Sequence, residues 1–238
     1  MAPHPALARF KLRQLARKRF AEYIQWAAEH PHPGWVFRGQ GQRWPLRPTI
    51  GRSASGFSTA REAQLLDEFK RHARQYIPNS HSLSEWDWIF IAQHHGLPTR
   101  LVDWSTNPLV ACFFACEPSS NAKRNGIVTA ISARDVGYLS PEELAGGPLS
   151  ISDTKFVSPT AVASRIIAQR GLFSVHSKPT IAWRARGKRE FFEIPAELKK
   201  EVKLLLLSMG VDSQFLMADL DGLTSTLKWR YDNGVASQ

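Results

Sequence analysis

One run of the chain, from Gln93 to Cys116, combines polar side chains that could do chemistry with an apolar segment that could support them. Its first half carries two imidazoles, a guanidinium, a carboxylate, three hydroxyl groups and an indole N–H. Such groups are costly to bury without a hydrogen-bonding partner or a ligand. Its second half, entered through Asn107 and Pro108, holds eight residues without a charge. The run therefore predicts a binding or catalytic site on a buried support.

A second candidate lies upstream, where three large apolar residues with strand propensity, Trp35, Val36 and Phe37, lead into Arg38-Gly39-Gln40-Gly41. The glycines predict a permissive turn in which backbone N–H groups approach a ligand closely, and arginine offers a fixed fork for phosphate or carboxylate. Polar groups at strand ends build the sites of many α/β proteins. We therefore expect Arg38 and the segment Asp103–Thr106 to line one cleft.

The titratable side chains of the central run fit either catalysis or structure. Imidazole titrates near neutral pH, so His94 or His95 fits a general base, and the structural alternative is an ordinary residue at a helix end. Asp103 is suited to orient Arg100 or His95. The structural alternative for Asp103 is a simple ion pair or a helix cap. For Trp104 the alternative to a site role is the hydrophobic core.

The elements that must position these groups follow from apolar spacing and capping signals. Asn is a good N-cap and Pro is favoured at the first helical position, so a helix begins after Asn107. Further helices are predicted over residues 12–28, 61–77, 84–93, 196–209 and within 212–229. Strands are predicted over residues 126–131, 171–176 and 189–195. Because no linker-like stretch separates two cores, we predict a single mixed α/β (α+β) domain.

Composition indicates a soluble globular protein with an acidic partner. The 238 residues are 43% hydrophobic and 22% charged, and the net charge of +10 favours nucleic acid or a phosphorylated ligand. No run approaches the ~18 apolar residues of a membrane span, so no membrane association is expected. Cys112 and Cys116 stand one helical turn apart and predict core residues in a reducing, cytoplasmic compartment, with no metal site.

Basic residues crowd the first half of the N-terminal helix, among them Arg13, Arg17 and Lys18. They fit a solvated face or a face that contacts phosphates. We separate residues 1–19 as a basic helical segment from residues 20–238.

Three segments closely resemble the FRG domain family, which is named for its Phe-Arg-Gly triplet. They are Phe37-Arg38-Gly39-Gln40, the run from Gln93 to Trp104, and the run from Arg165 to Phe173. The tail Asp219-Leu220-Asp221-Gly222-Leu223 is similar to the family's C-terminal signature. The resemblance spans about residues 20–230 and identifies residues 20–238 as an FRG domain.

A weaker resemblance, to ADP-ribosyltransferases of the Arg-Ser-Glu type, implies a mechanism. In those enzymes an aromatic-Arg-Gly turn ends a first strand, a Ser/Thr pair ends a second strand before a helix, and Glu or Gln stands on a later strand. Val36-Phe37-Arg38-Gly39 resembles the first element, and Leu101–Thr106 resembles the second. Gln169 and Glu193 are two candidates for the third. The implied fold is an ADP-ribosyltransferase-like split sheet with flanking helices.

The second resemblance implies NAD as a substrate. Arg38 would hold its diphosphate or ribose, backbone groups at Gly39 would bind the nicotinamide amide, and Ser105 would orient the ribose. A carboxylate would stabilise the positive charge of the transition state. The residues implied to be catalytic are Arg38, Ser105, Gln169, Glu193 and His95. The residues implied to contact NAD are Phe37, Gly39, Gln40, Thr99, Arg100, Asp103 and Trp104.

Three function classes fit these residues. The first is an NAD-dependent ADP-ribosyltransferase, as a toxin or phage-defence effector that modifies nucleic acid or protein, with an antitoxin as a candidate partner. The second is a non-catalytic module that binds a nucleotide or RNA in the same pocket. The third is a nuclease toxin that uses His94 and His95, although the chain lacks a carboxylate cluster for metal. Turnover of labelled NAD distinguishes the first two classes.

Overall fold

The computed structural model describes residues 5–52, 56–118, 123–159 and 168–235. Its helices are α1 (Pro5–Ala28), α2 (Thr59–Ala73), α3 (Glu85–His94), α4 (Pro108–Cys116), α5 (Ala133–Val136), α6 (Pro141–Ala145), α7 (Lys199–Ser208), α8 (Ser213–Met217) and α9 (Leu220–Asp232). Short 3₁₀ helices cover Ile50–Arg52, Arg74–Tyr76, Ser80–Ser82 and Ala196–Leu198. The strands are β1 (Trp35–Gln40), β2 (Leu101–Ser105), β3 (Gly126–Ser132), β4 (Lys155–Val157), β5 (Gly171–Val175) and β6 (Arg189–Ile194).

The strands form one six-stranded sheet in the order β4-β5-β2-β1-β3-β6, and neighbouring strands are antiparallel. Strand β1 pairs with β3 along its whole length, and β2 does the same with β5. Between β1 and β2, in contrast, the register consists of Phe37 opposite Ser105. The mixed α/β class with flanking helices is confirmed, and the two halves of the sheet meet at a narrow central joint.

Helix α4 supports this joint and begins as predicted. The Asn107 side chain accepts a hydrogen bond from the Leu109 N–H at 2.9 Å, and Pro108 occupies the first helical position. Cys112 and Cys116 are buried free thiols, as predicted, and belong to the core between α4, the sheet, α1 and α7. Burial raises the pKa of the Cys112 thiol well above its usual value, which leaves it unreactive.

Two glycines let α4 lie directly on the sheet. A Cβ atom added to Gly39 in β1 would lie 1.8 Å from the carbonyl oxygen of Ala111, and one added to Gly126 in β3 would lie 2.0 Å from that of Ala115. The triplet that contains Arg38 therefore continues strand β1, and the turn predicted there is wrong. The glycine is needed because a helix backbone contacts the strand at this position.

We expect Gly39→Ala to lower the free energy of unfolding by at least about 3 kcal/mol, or to prevent folding. The clash is with backbone atoms, so no side-chain rotation can relieve it. Thermal and denaturant unfolding would measure the loss. Gly34→Ala is the matched control, since its Cβ would meet its nearest neighbour, the Pro31 oxygen, at an ordinary 3.5 Å. A Gly39→Ala protein as stable as Gly34→Ala would contradict this packing.

Helix α1 begins earlier than predicted, at Pro5, and is one continuous helix to Ala28. Its residues Ala16, Phe20 and Tyr23 are buried in the same core as α4. The helix thus runs through the boundary that the sequence suggests between residues 19 and 20. In the described ranges no helix is both long enough and apolar enough to cross a membrane.

Candidate functional site

A pocket of about 250 Å³ lies where β1, β2, β5, α3 and α4 meet. Its polar lining consists of Arg38, Gln93, His94, Asp103, Ser105 and Gln169. Its apolar walls include Phe37, Val110, Ala111, Phe114, Leu172 and Phe173. The expectation that Arg38 shares one cleft with the segment Asp103–Thr106 is confirmed for Asp103, Trp104 and Ser105.

Helix α3 delivers Gln93 and His94 to the pocket because its start is firmly set. The Ser84 hydroxyl accepts a hydrogen bond from the Asp87 N–H at 3.2 Å, and the Asp87 carboxylate accepts one from the Ser84 N–H at 2.9 Å. This capping box satisfies two backbone donors at the helix start. Residues 88–92 of the helix are buried, and the helix ends beside β2.

A chain of hydrogen bonds runs from Thr99 to Arg38. The Thr99 hydroxyl accepts from the Leu101 N–H at 3.1 Å and donates to Gln93 Oε1 at 2.6 Å. This contact orients the amide, so that Gln93 Nε2 donates to both carboxylate oxygens of Asp103 at 3.2 Å. Arg38 Nη1 then donates to the Asp103 carbonyl oxygen at 2.6 Å and lies 3.6 Å from Asp103 Oδ2. The sequence assigns no role to Gln93, which positions the carboxylate.

Among the residues that line the pocket, Arg38 has an electrostatic environment that favours an anionic ligand. Its side chain is 19% exposed, and burial lowers the pKa of the guanidinium while the nearby Asp103 carboxylate opposes that shift. In the described part of the chain its buried Nε has no hydrogen-bond partner. A buried, unpaired guanidinium N–H is energetically costly. Phosphate or carboxylate oxygens of a ligand would satisfy it.

Ser105 and Gln169 are held together at the end of β2. The Ser105 hydroxyl donates to the Gln169 carbonyl oxygen at 2.6 Å and accepts from the Asn107 N–H at 2.9 Å. Gln169 Nε2 in turn donates to the Leu216 carbonyl oxygen at 3.1 Å. The Ser105 proton is thus already used inside the protein, and the hydroxyl fixes the segment that carries Gln169 into the pocket.

Arg100 and Glu193, both predicted site residues, lie away from the pocket. Arg100 Nη2 forms a buried ion pair with Glu62 Oε2 of α2 at 2.5 Å. Glu193 lies on β6, the edge strand beyond β3, where Asn125 Nδ2 donates to its carboxylate. Of the two candidates for the third catalytic position, the structure brings Gln169 to Arg38 and Ser105.

Three further predicted residues, Gln40, Trp104 and Thr99, lie at or beyond the walls of the pocket. Gln40 is buried and lines another hollow on the sheet. Trp104 borders the pocket, but its indole N–H donates to the Ser174 hydroxyl at 2.9 Å and its ring packs against Phe156 and Trp183. Thr99 acts on the pocket through Gln93. Trp104 therefore has the core role that was the alternative for it.

His94, His95 and His176 differ in their exposure and in their contacts. His94 lines the pocket, whereas His95 is exposed at the end of α3. His176 is buried on the Ser174 hydroxyl, at 2.9 Å from Nε2. Burial, together with the charges of Arg38 and Arg100, lowers the pKa of His176 to about 3, so this ring is neutral at physiological pH. By position, His94 is better placed than the predicted His95 to act as a general base.

The two remaining sequence signatures lie before and within β5 and at the start of α9. In the run from Arg165 to Phe173, residues 165–167 lie outside the described residues, and the remainder leads into β5. In the tail signature, Asp219 Oδ1 caps α9 by accepting from the Gly222 N–H at 2.7 Å. A Cβ at Gly222 would lie 2.5 Å from the Ser213 carbonyl oxygen. These two tail residues therefore serve helix capping and close packing.

Comparison with known proteins gives one match. Residues 33–124 match the family model of the FRG domain, which confirms that resemblance over less than half of the chain. The matched range contains Arg38, Gln93, Asp103 and Ser105, while Gln169 lies beyond it. No curated protein and no solved structure matches the chain. Within the described ranges no group of three or more His, Cys, Asp or Glu side chains is placed to hold a metal ion.

Proposed function

We propose that this chain, with its FRG domain match at residues 33–124, is an NAD-dependent ADP-ribosyltransferase. The observation that carries the proposal is the convergence of Arg38, Ser105 and Gln169 on one pocket. They come from β1, the end of β2 and the segment just before β5, and these strands are neighbours in the sheet. The Arg-Ser-Glu resemblance requires three such elements to meet.

The reaction sets three tasks for the pocket. Transfer breaks the bond between the nicotinamide nitrogen and C1′ of the ribose, and nicotinamide leaves with the bonding electron pair. A nucleophilic atom of the acceptor bonds to C1′ and loses a proton. The protein must therefore hold the phosphates, stabilise the positive charge that develops on the ribose, and accept the proton.

Arg38 is the candidate for the first task, because its unpaired Nε would donate to a phosphate oxygen. The pocket volume of about 250 Å³ is below the ~300–1,000 Å³ of sites for drug-sized ligands. It would thus enclose one part of NAD, the nicotinamide ribose, with the diphosphate beside Arg38. His94 is the candidate for the proton acceptor.

Asp103 is the candidate for the second task. Gln169 is neutral, and the carboxylate of Glu193 lies outside the pocket, so neither supplies a negative charge there. The Asp103 carboxylate lines the pocket and is held from one side by Gln93. We therefore assign to Asp103 the charge stabilisation that a glutamate performs in the related pattern.

Incubation with labelled NAD and total RNA, DNA or cell lysate tests the proposal. We expect release of nicotinamide and transfer of the label to one class of acceptor. Binding of NAD, measured by calorimetry, without turnover on any acceptor would contradict the enzyme and support the non-catalytic module that binds a nucleotide.

If Asp103 stabilises the positive charge of the transition state, removal of its negative charge should slow the reaction. Asp103→Asn should lower kcat by about 10²–10³-fold, because it keeps the shape of the side chain and removes the charge. Glu193→Gln, the same chemical change outside the pocket, should leave kcat unchanged. If Glu193→Gln loses activity and Asp103→Asn retains it, the stabilising charge comes from Glu193 instead.

A further inference from the structure

A second hollow, of about 360 Å³, lies at the β6 edge of the sheet. We call it the aromatic hollow. It is lined by Arg43, Trp44, Trp183, Arg184, Arg189 and Phe191, together with smaller and apolar residues. No acidic residue of the described chain is among those that line it.

The arginines of the aromatic hollow leave its positive charge uncompensated. Arg43, Arg184 and Arg189 are exposed, and in the described ranges none of them forms an ion pair with a carboxylate. Arginines elsewhere do so, such as Arg13, which lies 3.4 Å from Glu201. A cationic hollow without internal partners favours an anionic ligand.

Aromatic rings in the hollow indicate what kind of anion it would bind. Phe191 is 39% exposed and Trp44 is 38% exposed. The guanidinium carbons of Arg43 and Arg189 lie 4.7 Å and 5.1 Å from the centroid of the Phe191 ring. Nucleic-acid bases stack both on aromatic rings and on guanidinium planes. Phosphates would account for the charge of the hollow, and bases would account for its rings.

The hollow lies on a row of residues that leads across the sheet to the pocket. Phe191 pairs with Thr129 of β3, and Thr129 pairs with Arg38 of β1. At ~4.8 Å between neighbouring strands, the Cα atoms of Phe191 and Arg38 are about 10 Å apart. A ligand held in the hollow would therefore lie near the pocket.

We propose that the aromatic hollow binds single-stranded nucleic acid. Arg43, Arg184 and Arg189 contact its phosphates, and unpaired bases stack on Trp44 and Phe191. A duplex fits less well, because its bases are already stacked on one another. The binding does not depend on catalysis, and the further step that the bound strand is the acceptor of ADP-ribose rests on the proposed function.

Fluorescence anisotropy of the full chain with labelled twelve-nucleotide oligouridine and oligothymidine, without NAD, tests this binding. We expect Trp44→Ala to raise Kd about tenfold through loss of stacking, and Trp44→Phe to restore most of the affinity. The double variant R43Q/R189Q should make the dependence of log K on log salt shallower by about 1.4, because each phosphate that an arginine neutralises adds ~0.7 to the slope.

Controls separate the hollow from the general charge of the protein. R71Q/R74Q removes two exposed arginines at the end of α2 and in the turn that follows, and should change the affinity by less than about twofold. Equal losses in R43Q/R189Q and R71Q/R74Q would overturn the proposal, as would an unchanged Kd in Trp44→Ala. Equally tight binding of a matched duplex or of a polyglutamate peptide would also overturn it. Circular dichroism verifies that each variant is folded, and failure of NAD turnover would leave these results unaffected.

Discussion

Arg38→Lys should lower kcat/KM for NAD in ADP-ribosyl transfer by about 10³-fold while the protein stays folded. A lysine keeps the positive charge but lacks the planar fork. It cannot donate to the Asp103 carbonyl oxygen and also present a second, fixed N–H to a phosphate, as the geometry of Arg38 Nη1 and Nε allows. Calorimetry would measure the loss of affinity for NAD, and a steady-state assay of nicotinamide release would measure the loss of turnover.

Some loss of stability should accompany Arg38→Lys, because Arg38 bridges the narrow joint between β1 and β2. Loss of its hydrogen bond to Asp103 should cost about 1 kcal/mol, or a fall in Tm of about 2–4 °C. Arg19→Lys is the matched control. Arg19 also donates to a strand carbonyl, that of Glu193 at 2.6 Å and 3.0 Å, but it lies outside the pocket. Full activity in Arg38→Lys, or equal losses of activity in both variants, would contradict the assigned role.

Local signals in the sequence explain why much of the fold was predictable. The Asn107-Pro108 start of α4 and the Ser84 cap of α3 satisfy backbone donors within a few residues, so the sequence displays them directly. Strands β3, β5 and β6 were similarly visible as apolar, β-prone runs, whereas the short strand β4 was not predicted. The order of the strands and the narrow joint between β1 and β2 depend on contacts between distant segments, which one sequence does not display.

Gly39 shows where local reasoning fails. A glycine after an arginine fits a flexible turn, and the same residue fits a strand that a helix backbone approaches closely. The deciding atom is the carbonyl oxygen of Ala111, which is remote in the sequence. The Phe-Arg-Gly triplet thus combines an arginine that lines the pocket with a glycine that serves packing.

The sequence predicted which segments form the site, but not which of their side chains contact one another. Asp103 contacts Arg38 and Gln93, and the Arg100 that stands three residues away in sequence contacts Glu62. The Arg100 carbonyl oxygen accepts from the His176 N–H at 3.1 Å, so the extended backbone of β2 continues to Arg100. Side chains an odd number of positions apart on a strand point to opposite faces. The alternation of side chains along the strand therefore places Arg100 and Asp103 on opposite faces of the sheet.

Arg100→Ala should be among the most destabilising polar substitutions, with a loss of about 3–5 kcal/mol in the free energy of unfolding. The Arg100 side chain is 2% exposed and that of Glu62 is 4% exposed. Removal of the guanidinium leaves the Glu62 carboxylate buried without its partner, and it also removes the donor to the Leu149 carbonyl oxygen. Denaturant unfolding, monitored by circular dichroism, would measure the loss.

The double variant Arg100→Met/Glu62→Leu should recover most of that stability, because apolar side chains of similar size leave no buried charge unpaired. Lys228→Ala is the control for an exposed ion pair. It breaks a contact of 3.2 Å with Asp232 and should cost about 0.5 kcal/mol or less. Retained stability in Arg100→Ala with loss of NAD binding would instead make Arg100 a ligand-binding residue, as the resemblance implied. A large destabilisation that the double variant reverses would place Arg100 in the core that supports β2.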